Sequence, residues 1–509
     1  MACALLVTYA GGVFGAVPYP PAAVSSLIIR ATPGDVATRA IEQLGHAAQR
    51  TLNLGVHAGA LVLGALLGVW IRSAADARRR ARRALAAGAG LLAAAAAVSL
   101  TAPEGLSAVS VAVLVVAAVT FAALGAGGSL LAAVDPPQGW AGYRPGEDGQ
   151  EVAGAAPGRP SRRRFLAGTA AVVGGAVLGG GAIWKLVGGP SRQAVRIVPA
   201  DRPFEPPPPD PSFPPVPGLA QEITPVAEFY NVDIDILKPR VDHMGWQLAV
   251  GGLVDRPYRL TFETLQHTFE VVEMAHTLTC VSNEVGGDLI STTIWRGVRL
   301  KDVLERAGLR TGVEDVVFRA VDNYSDSIPL AKALEDRTLV VFGMDGAALP
   351  REHGFPARII VPGIYGMKNV KWVTSIEAVS RDYQGYWQER GWSDVARIKT
   401  ESRIDVPADG SIVAEGTKVA GVAWAGDRGV SAVEISEDGG VTWRPATLER
   451  ELSPVAWRRW FATLSPGTGS RRVLVRATDG NGNVQTAEQS RPHPDGASGY
   501  HEVAFDVRA

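Results

Sequence analysis

The chain has 509 residues, a net charge of −1 at pH 7 and two cysteines, Cys3 and Cys280. A near-neutral charge gives no indication of a nucleic-acid partner. Two cysteines so far apart argue against a disulfide framework, and they are too few for an iron–sulfur cluster or a zinc ribbon. No CxxCH string occurs, which excludes covalently attached haem.

The first 190 residues are predicted to form an α-helical membrane region, because they contain apolar stretches of bilayer length. Five spans are predicted, at 2–19, 54–71, 84–101, 106–134 and 165–187. The arginine-rich loop at 72–83 is typical of a cytoplasmic loop, so the residues after about 190 are expected on the extracytoplasmic side. The alternative is that 84–134 forms buried helices of a soluble fold.

A positively charged string precedes the last predicted span. SRRRFL at 161–166 is similar to a twin-arginine export signal, which is an address read by a receptor. The alternative is an ordinary cluster of positive charge on the cytoplasmic side. No convincing cleavage site follows, so the segment is predicted to remain as an anchor in membrane lipid.

A proline-rich linker is predicted at 191–219. Ten of the 19 residues from Pro199 to Pro217 are proline, a composition that disfavours helix and central strand and favours an extended chain. The segment is therefore expected to be a semi-rigid spacer between the membrane and a soluble part.

Two soluble domains are predicted after the linker. Residues 220–400 alternate short strand-like runs, as at 246–250, with a helical spacing that ends at Gly308, which indicates a mixed α+β domain. From 401 to 509 helical periodicity is absent, and short alternating strands are separated by turns such as 437–440. This spacing predicts an immunoglobulin-like β-sandwich.

Cys280 is the one cysteine in the soluble part, and it precedes Asn283 and the paired glycines at 286–287. Glycines there allow a bulky ligand to approach the backbone. Three interpretations remain open from the residues alone. Cys280 is a hydrolytic nucleophile with His276 or His353 as its base, a soft thiolate that binds a metal, or an inert core cysteine.

A second cluster of polar residues contains His353, Arg358, Lys368 and Lys371 near two glycine-containing turns. Convergent cations on tight loops suit a phosphate group. The alternative is a set of unrelated surface charges.

Five strings in this region resemble the sulfite oxidase family of molybdenum enzymes, in the family's order and with similar gaps. They are TLTCVSN at 277–283, WRGVRL at 295–300, SIPL at 327–330, HGFPAR at 353–358 and GMKNVKW at 366–372. The C-terminal part resembles the family's dimerisation domain in VAWAGDR at 422–428, EISEDGGVTW at 434–443 and VRATD at 475–479. The resemblance covers roughly residues 225 to 490 and suggests a membrane-anchored bacterial branch of the family.

The resemblance implies a single-pterin molybdenum–molybdopterin cofactor, with Cys280 as the metal ligand. No haem and no iron–sulfur cluster is expected, because the chain lacks the motifs that bind them. The cofactor-binding residues that it implies are Tyr230, Asn231, Cys280, Ser327, His353, Arg358, Lys368 and Lys371. The expected catalytic residues are Cys280, Asn231, Trp392 and Arg428. The C-terminal domain is expected to form a homodimer.

Departures from the family's sulfite-binding pattern affect the expected substrate. Asn231 stands in place of an arginine, Glu284 and Val285 replace the residues after the metal cysteine, and Trp392 replaces a pocket tyrosine. Losing such charge-assisted contacts, worth roughly 1.5–3 kcal/mol each, disfavours a sulfite dianion. The expected function is two-electron oxygen-atom transfer on a small or protein-bound S-oxide or N-oxide. Sulfite oxidation and a non-catalytic membrane-tethered binding module are the alternatives.

The electron partner is expected to be a separate quinone-linked protein or a small cytochrome. His46 and His57 are the histidines of the membrane part, and just one of them lies in a predicted span. A b-type haem with two axial histidines is therefore not expected.

Overall fold

The computed structural model of the protein describes residues 24–25, 27–29, 32, 47–100, 195–234 and 238–509. The chain divides into two compact units. The first comprises Met1–Ala31, Leu44–Gln193 and Asp235–Leu237, and the second comprises Thr32–Gln43, Ala194–Ile234 and Lys238–Ala509.

Two helices form the described part of the first unit, α1 (Ala47–Arg72) and α2 (Ala77–Leu100). They pack against each other through small and aliphatic side chains, among them Ile71 and Ala84. Within α1, Leu54–Arg72 is long and apolar enough to cross a membrane, with a mean hydropathy of 2.0. Its apolar side chains are exposed in the structure, as Leu54 and Val69 are. The predicted span at 54–71 therefore has a helix of suitable length and composition.

The remaining predicted spans are not confirmed. Among the described residues, Leu54–Arg72 is the one helical stretch that meets the length and hydropathy needed for a span. The predicted span at 84–101 overlaps α2, but the first turns of that helix carry arginines, as at Arg79 and Arg83. The spans at 2–19, 106–134 and 165–187 and the string at 161–166 lie outside the described residues.

The second unit begins its regular structure with the predicted α+β domain. Its elements are β1 (Gln247–Gly252), β2 (Tyr258–Thr261), α3 (Phe262–Thr268), β3 (Val271–Thr279), β4 (Ile290–Arg299), α4 (Leu300–Ala307), β5 (Asp315–Ala320), β6 (Ser325–Pro329), α5 (Leu330–Ala333), β7 (Leu339–Met344), β8 (Ala347–Ala348), β9 (Arg358–Ile360) and β10 (Val373–Val379). One sheet has the strand order β2-β1-β10-β5-β6, in which β1 and β10 are parallel. The other has the antiparallel order β3-β4-β7-β8, with β9 paired to β7.

One hydrophobic core joins these sheets and the helices. Helix α4 contributes Leu300, Val303, Leu304 and Ala307, whose spacing places them on one face of the helix. The helix ends where Gly308 adopts a left-handed conformation, with φ 73°, which a glycine accepts without a steric penalty. The predicted helix with its glycine stop is confirmed.

The C-terminal domain consists of two sheets with a shared apolar core. Its strands are β11 (Glu401–Val406), β12 (Ile412–Ala414), β13 (Lys418–Trp424), β14 (Val430–Ser436), β15 (Arg444–Pro445), β16 (Thr447–Leu448), β17 (Arg458–Thr463), β18 (Gly469–Asp479) and β19 (His501–Arg508). The strand orders are β11-β13-β17-β16 and β12-β19-β18-β14-β15. The prediction of a β-rich domain here is confirmed.

Residues 195–219 are called the strap from here on. They were expected to form a semi-rigid spacer, and in the structure they contact both domains of the second unit. Arg202 forms a parallel bridge with Val272 of β3. Farther along, the Phe213 ring packs edge-on against Phe461 of β17, with ring centroids 5.3 Å apart. The strap therefore lies along both the α+β domain and the β-rich domain. The prediction of a semi-rigid spacer did not include these contacts.

Candidate functional site

Cys280 directly follows β3, and its backbone N–H still donates to the Leu289 carbonyl (3.0 Å). Its side chain is 8% exposed, with Sγ 3.0 Å from Oγ of Ser282. Burial raises the pKa of the thiol above its usual value. A turn crosses closely at Gly366, where a Cβ would lie 2.6 Å from Oη of Tyr230 and 3.9 Å from Cα of Cys280. Glycine at 366 thus keeps space open beside the cysteine and Tyr230.

A cluster of buried cations lies near this cysteine. The Lys371 ammonium donates to Oδ1 of Asp233 (2.7 Å), to Oδ1 of Asn231 (3.3 Å) and to the Glu352 carbonyl (3.0 Å). Lys238 also pairs with Asp233 and donates to Asn231 (3.1 Å). The amide oxygen of Asn231 therefore accepts hydrogen bonds from both lysines, and its contacts belong to this cluster. We call Lys238, Lys371 and the nearby Arg358 the cationic cluster.

The members of the cationic cluster disfavour one another's charge. Burial and the Arg358 guanidinium hold the pKa of Lys371 well below its usual value. Burial and Lys371 lower the pKa of Lys238 to about 7, and burial lowers that of Arg358 to about 10. Burial is the largest cause of each shift, and neighbouring cations add to it for the two lysines. A bound anion would favour the charged forms of the lysines.

Several polar atoms around Arg358 have no hydrogen-bond partner among the described residues. The guanidinium donates to the carbonyls of His353 (3.2 Å) and Asn369 (3.1 Å) and lies 5.1 Å from the ring centre of Trp295. Nε of Arg358, Nδ1 of His353 and Nε1 of Trp295 are buried and unpaired. Buried polar groups normally have partners. A polar, anionic molecule bound between Arg358 and Cys280 therefore fits the residues present.

A histidine–cysteine pair of the hydrolase type is not formed. Both ring nitrogens of His276 lack a partner, and so does Nδ1 of His353. The Cys280 thiol contacts the Ser282 hydroxyl instead. Burial is the main cause that lowers the pKa of each histidine to about 3, so both imidazoles are neutral. An imidazole that does not contact the thiol cannot take its proton, so neither histidine serves as the base of such a pair.

Two residues expected to bind the cofactor lie in an adjacent buried network. The Lys368 ammonium is 3.0 Å from both Asp326 Oδ1 and Asp394 Oδ1, and it donates to the Ser327 carbonyl (2.9 Å). The Ser327 hydroxyl donates to Asp315 Oδ2 (2.8 Å). These groups are therefore engaged with protein partners and are not arranged to contact a phosphate directly. Instead they hold the turn that contains Gly366 against β6.

The expected pocket arginine, Arg428, is also engaged. Its Nε is 2.8 Å from Asp479 Oδ2 and its Nη2 donates to the Ile398 carbonyl (3.0 Å). Trp392 is 5% exposed, and its ring packs 5.0 Å from that of His493, with an unpaired Nε1. Trp392 shares an apolar cluster with Val281, the neighbour of Cys280. The structure thus brings Trp392 close to the cysteine segment. Arg428, in contrast, is already paired and is not available to bind an anion.

A cleft opens beside the Cys280 loop, lined by 283–287, 400–403 and 497–499 together with other residues of both domains. The cation that lines it, Arg403, is held by Asp405 Oδ1 (2.6 Å) and donates to the Gly287 carbonyl (2.8 Å). The cleft therefore presents no uncommitted positive charge among its lining residues.

Glu401 lines the same cleft and was not expected from the sequence. Its carboxylate lies 3.4 Å from Oη of Tyr365, and burial raises the pKa of the carboxyl to about 7. Hydrogen bonds from Asn283 and Tyr365 oppose that rise. No sequence signal separates this glutamate from other acids of the β-rich domain, because its environment comes from distant residues. Lys238 and Asp233 were missed for the same reason.

Two family models match the second unit. Residues 236–387 match the oxidoreductase molybdopterin binding domain, and residues 393–493 match the Mo-co oxidoreductase dimerisation domain. Sulfite oxidase of Gallus gallus is 30% identical over 349 residues, which cover 58% of this chain and 74% of that protein. Mitochondrial sulfite oxidase of Mus musculus is 32% identical over 348 residues, which cover 58% of this chain and 62% of that protein.

A solved structure has a similar fold. The sulfane dehydrogenase SoxCD from Paracoccus pantotrophus superposes with a TM-score of 0.50 at 22% identity, covering 57% of this chain and 85% of that chain. The chain spans about three fifths of the length of the mammalian sulfite oxidases that it matches.

Proposed function

Because the chain belongs to the sulfite oxidase family of molybdopterin-dependent oxidoreductases, we propose that its second unit is an oxidoreductase that holds one molybdenum–molybdopterin cofactor. One observation carries the proposal. A buried thiol, Cys280, lies near the cationic cluster, where Nε of Arg358 and Nδ1 of the neighbouring His353 are buried and lack partners among the described residues. An anionic heterocycle with a thiol-binding metal complements those features together.

The proposed roles follow from the contacts of each side chain. Cys280 supplies the thiolate, which is the soft ligand a molybdenum centre takes. Arg358, His353 and Lys371 hold the pterin and its phosphate, and Tyr230 borders the space that Gly366 leaves open. When bound, the cofactor supplies two-electron oxygen-atom transfer.

Further residues act through these ones. Asn231 positions Lys371 through its amide oxygen. Lys368 and Ser327 fix the turn beside Cys280 through Asp326. Trp392 closes the apolar side of the site. Arg428 pairs with Asp479 of its own domain and reaches the α+β domain through the Ile398 carbonyl. We propose these five as positioning residues for the cofactor and substrate.

For the substrate, we propose a neutral S-oxide or N-oxide, small or protein-bound. Glu284 is exposed at the cleft, and the Arg403 guanidinium is already paired with Asp405. A dianion entering the cleft would meet carboxylates and no uncommitted cation among the lining residues, which disfavours its binding. Sulfite oxidation is the second candidate, because the similar proteins of Mus musculus and Gallus gallus are named sulfite oxidases.

We further propose that the protein is anchored in membrane lipid at the bacterial cytoplasmic membrane, with the second unit on the extracytoplasmic side. The apolar stretch Leu54–Arg72 and the arginines that begin α2 support this orientation. The proposed electron partner is a quinone-linked protein or a small cytochrome. A homodimer through the β-rich domain is supported by the match to the dimerisation domain.

Metal analysis of the purified full chain tests the proposed function. We expect about one molybdenum and one pterin per chain, and Cys280→Ser should remove both the activity and the thiolate-to-metal absorption. Ser282→Ala is the matched control, since it changes the neighbour of the thiol but leaves the ligand. Molybdenum far below one equivalent, in a host that makes the cofactor, would contradict the proposal.

A substrate panel on the same preparation separates the two candidate activities. Reduced viologen should drive turnover of sulfoxides or N-oxides, and sulfite with an artificial acceptor should give little. Turnover of sulfite at the higher kcat/KM would establish sulfite oxidation instead. If the cofactor-loaded protein turns over none of these compounds, and variants at Arg358 and Lys371 keep its biological effect, the result would favour a non-catalytic binding module.

A further inference from the structure

One face of the β3–β4 ladder carries polar residues that the family resemblance does not assign. Because side chains alternate along a strand, His276 lies on the same face of β3 as Met274, and this strand leads directly to Cys280. In the antiparallel register His276 is opposite Thr293, and Met274 is opposite Trp295. Residues paired in this way share a face. His276, Thr293 and Trp295 therefore line one face of the ladder that leads to Cys280.

The polar atoms of this face are buried and unpaired. His276, Thr293 and Trp295 are each 0% exposed. Both ring nitrogens of His276, Oγ1 of Thr293 and Nε1 of Trp295 have no hydrogen-bond partner in the described part of the chain. Nε of Arg358, whose guanidinium lies over Trp295, is unpaired as well. These unpaired atoms, called the row from here on, belong to residues of one sheet face and to the guanidinium that lies over Trp295.

The opposite face of the same ladder behaves differently. There the hydroxyls of Thr277 and Thr292 bond to each other, and Oγ1 of Thr277 also accepts from the Trp457 N–H (2.8 Å). Unsatisfied polar groups are costly in a protein interior, so few are retained without a reason. Within the β3–β4 ladder, the unpaired atoms that the described residues show lie on the face of His276, Thr293 and Trp295, which indicates a missing polar partner on that face.

The row continues into the β-rich domain. The ring of Trp424 lies 6.2 Å from that of His276, and Nε1 of Trp424 is buried and unpaired. Oδ1 of Asp427, three residues later, is also buried and unpaired. Both domains thus turn unpaired donors and acceptors toward the same buried region, which a bound heterocycle with several polar edges would satisfy.

We propose that His276 and Thr293 are positioning residues of the cofactor cavity, and that they hydrogen-bond the heterocycle of the bound pterin. This proposal rests on the proposed function. Burial, with help from the Arg358 and Lys332 cations, keeps His276 neutral, with a pKa of about 3. A neutral imidazole offers one donor and one acceptor, and a hydroxyl offers both. Together they can match the adjacent donor and acceptor edges of a pterin ring without adding charge.

Two variants test the proposal, His276→Leu and Thr293→Val, the second being nearly isosteric. Each is prepared as the full chain with cofactor and, from a host that lacks cofactor synthesis, without it. We expect the cofactor-free variants to melt no lower than the cofactor-free wild type, because an unpaired polar group is removed. The rise in Tm on loading should shrink, and pterin should be released about tenfold faster, the loss expected for one hydrogen bond.

Gln266→Leu provides the matched control, since Gln266 is a buried amide whose oxygen and nitrogen both have partners. It should lower Tm equally with and without cofactor and leave pterin release unchanged. Equal shifts of both forms in the His276 and Thr293 variants, with wild-type release, would overturn the proposal. Thr293→Val decides the matter if His276→Leu does not fold. A wild-type protein without pterin overturns the proposed function as well, whereas a loaded wild type with unaffected variants overturns this inference alone.

Discussion

At the residue scale, the Glu401 carboxyl stands out because in the folded protein it keeps its proton to a higher pH than an ordinary glutamate does. Burial raises its pKa from 4.5 to about 7. A carboxyl with a raised pKa contributes most to stability below the unfolded value, and the contribution is lost as the pH rises toward the folded value. The stability of the protein should therefore fall between about pH 4.5 and 7 on account of this group.

Glu401→Gln removes that dependence and keeps a neutral hydrogen-bonding side chain. We expect its free energy of unfolding to exceed that of the wild type increasingly from about pH 4.5 to 7, reaching about 2 kcal/mol above pH 7. That figure is smaller than the full pKa difference because the cleft admits water. Urea unfolding at several pH values measures it. Glu389→Gln, at an exposed position, should give parallel curves; a Glu401→Gln curve parallel to wild type would refute the expectation.

The sequence predicted part of the site for a clear physical reason. Cys280, His353, Arg358 and Lys371 lie in strings that resemble the family, and the structure brings their surroundings together around one buried region. Whether a cation is available to a ligand depends on partners distant in the chain. Lys368 meets Asp326 and Asp394, and Arg428 meets Asp479. No local pattern indicates those ion pairs.

At the element scale, periodicity was informative wherever an element has its own apolar face. The strand β1 and the helix α4 match their predicted positions within a residue or two, because alternation and helical spacing are local properties. The strap was predicted only as extended chain. Its docking depends on Phe461 and on the Arg450 N–H, which donates to Asp210 Oδ2 (2.9 Å), and both lie more than 200 residues away.

Phe213→Ala tests whether the strap stabilises the second unit. The Phe213 ring is 9% exposed, contacts Phe461 and lies 5.4 Å from the Arg459 guanidinium. Removing it should lower the free energy of unfolding by about 3 kcal/mol, as for other buried phenylalanines. Chemical denaturation of the full chain measures the change. Glu205→Ala, at an exposed strap position, serves as the control, and equal midpoints for the two variants would show that the strap docks without stabilising.

At the scale of the whole molecule, the proposed orientation makes opposite predictions for the two units. In a Cys3→Ser background, Ser73→Cys in the turn between α1 and α2 should react with a membrane-impermeant maleimide only in inverted vesicles. Val441→Cys, where the native valine is 80% exposed on the β-rich domain, should react in intact spheroplasts. Labelling follows the side on which each residue lies, because charged reagents do not cross the bilayer. Reaction of both cysteines from one side would exclude the proposed topology.

The edge of β3 links the order of synthesis to the risk of aggregation. On one stretch of that edge Glu273 N–H donates to the Arg202 carbonyl (2.9 Å), and on the next Thr277 N–H donates to the Val455 carbonyl (3.0 Å). The edge of the strand that leads to Cys280 is thus hydrogen-bonded by one segment that is synthesised before it and by another that is synthesised well after it. An unsealed edge pairs readily with other chains, and a growing chain exposes this one until residue 455 has emerged from the ribosome. Protection of this edge from aggregation therefore depends on the arrival of the β-rich domain.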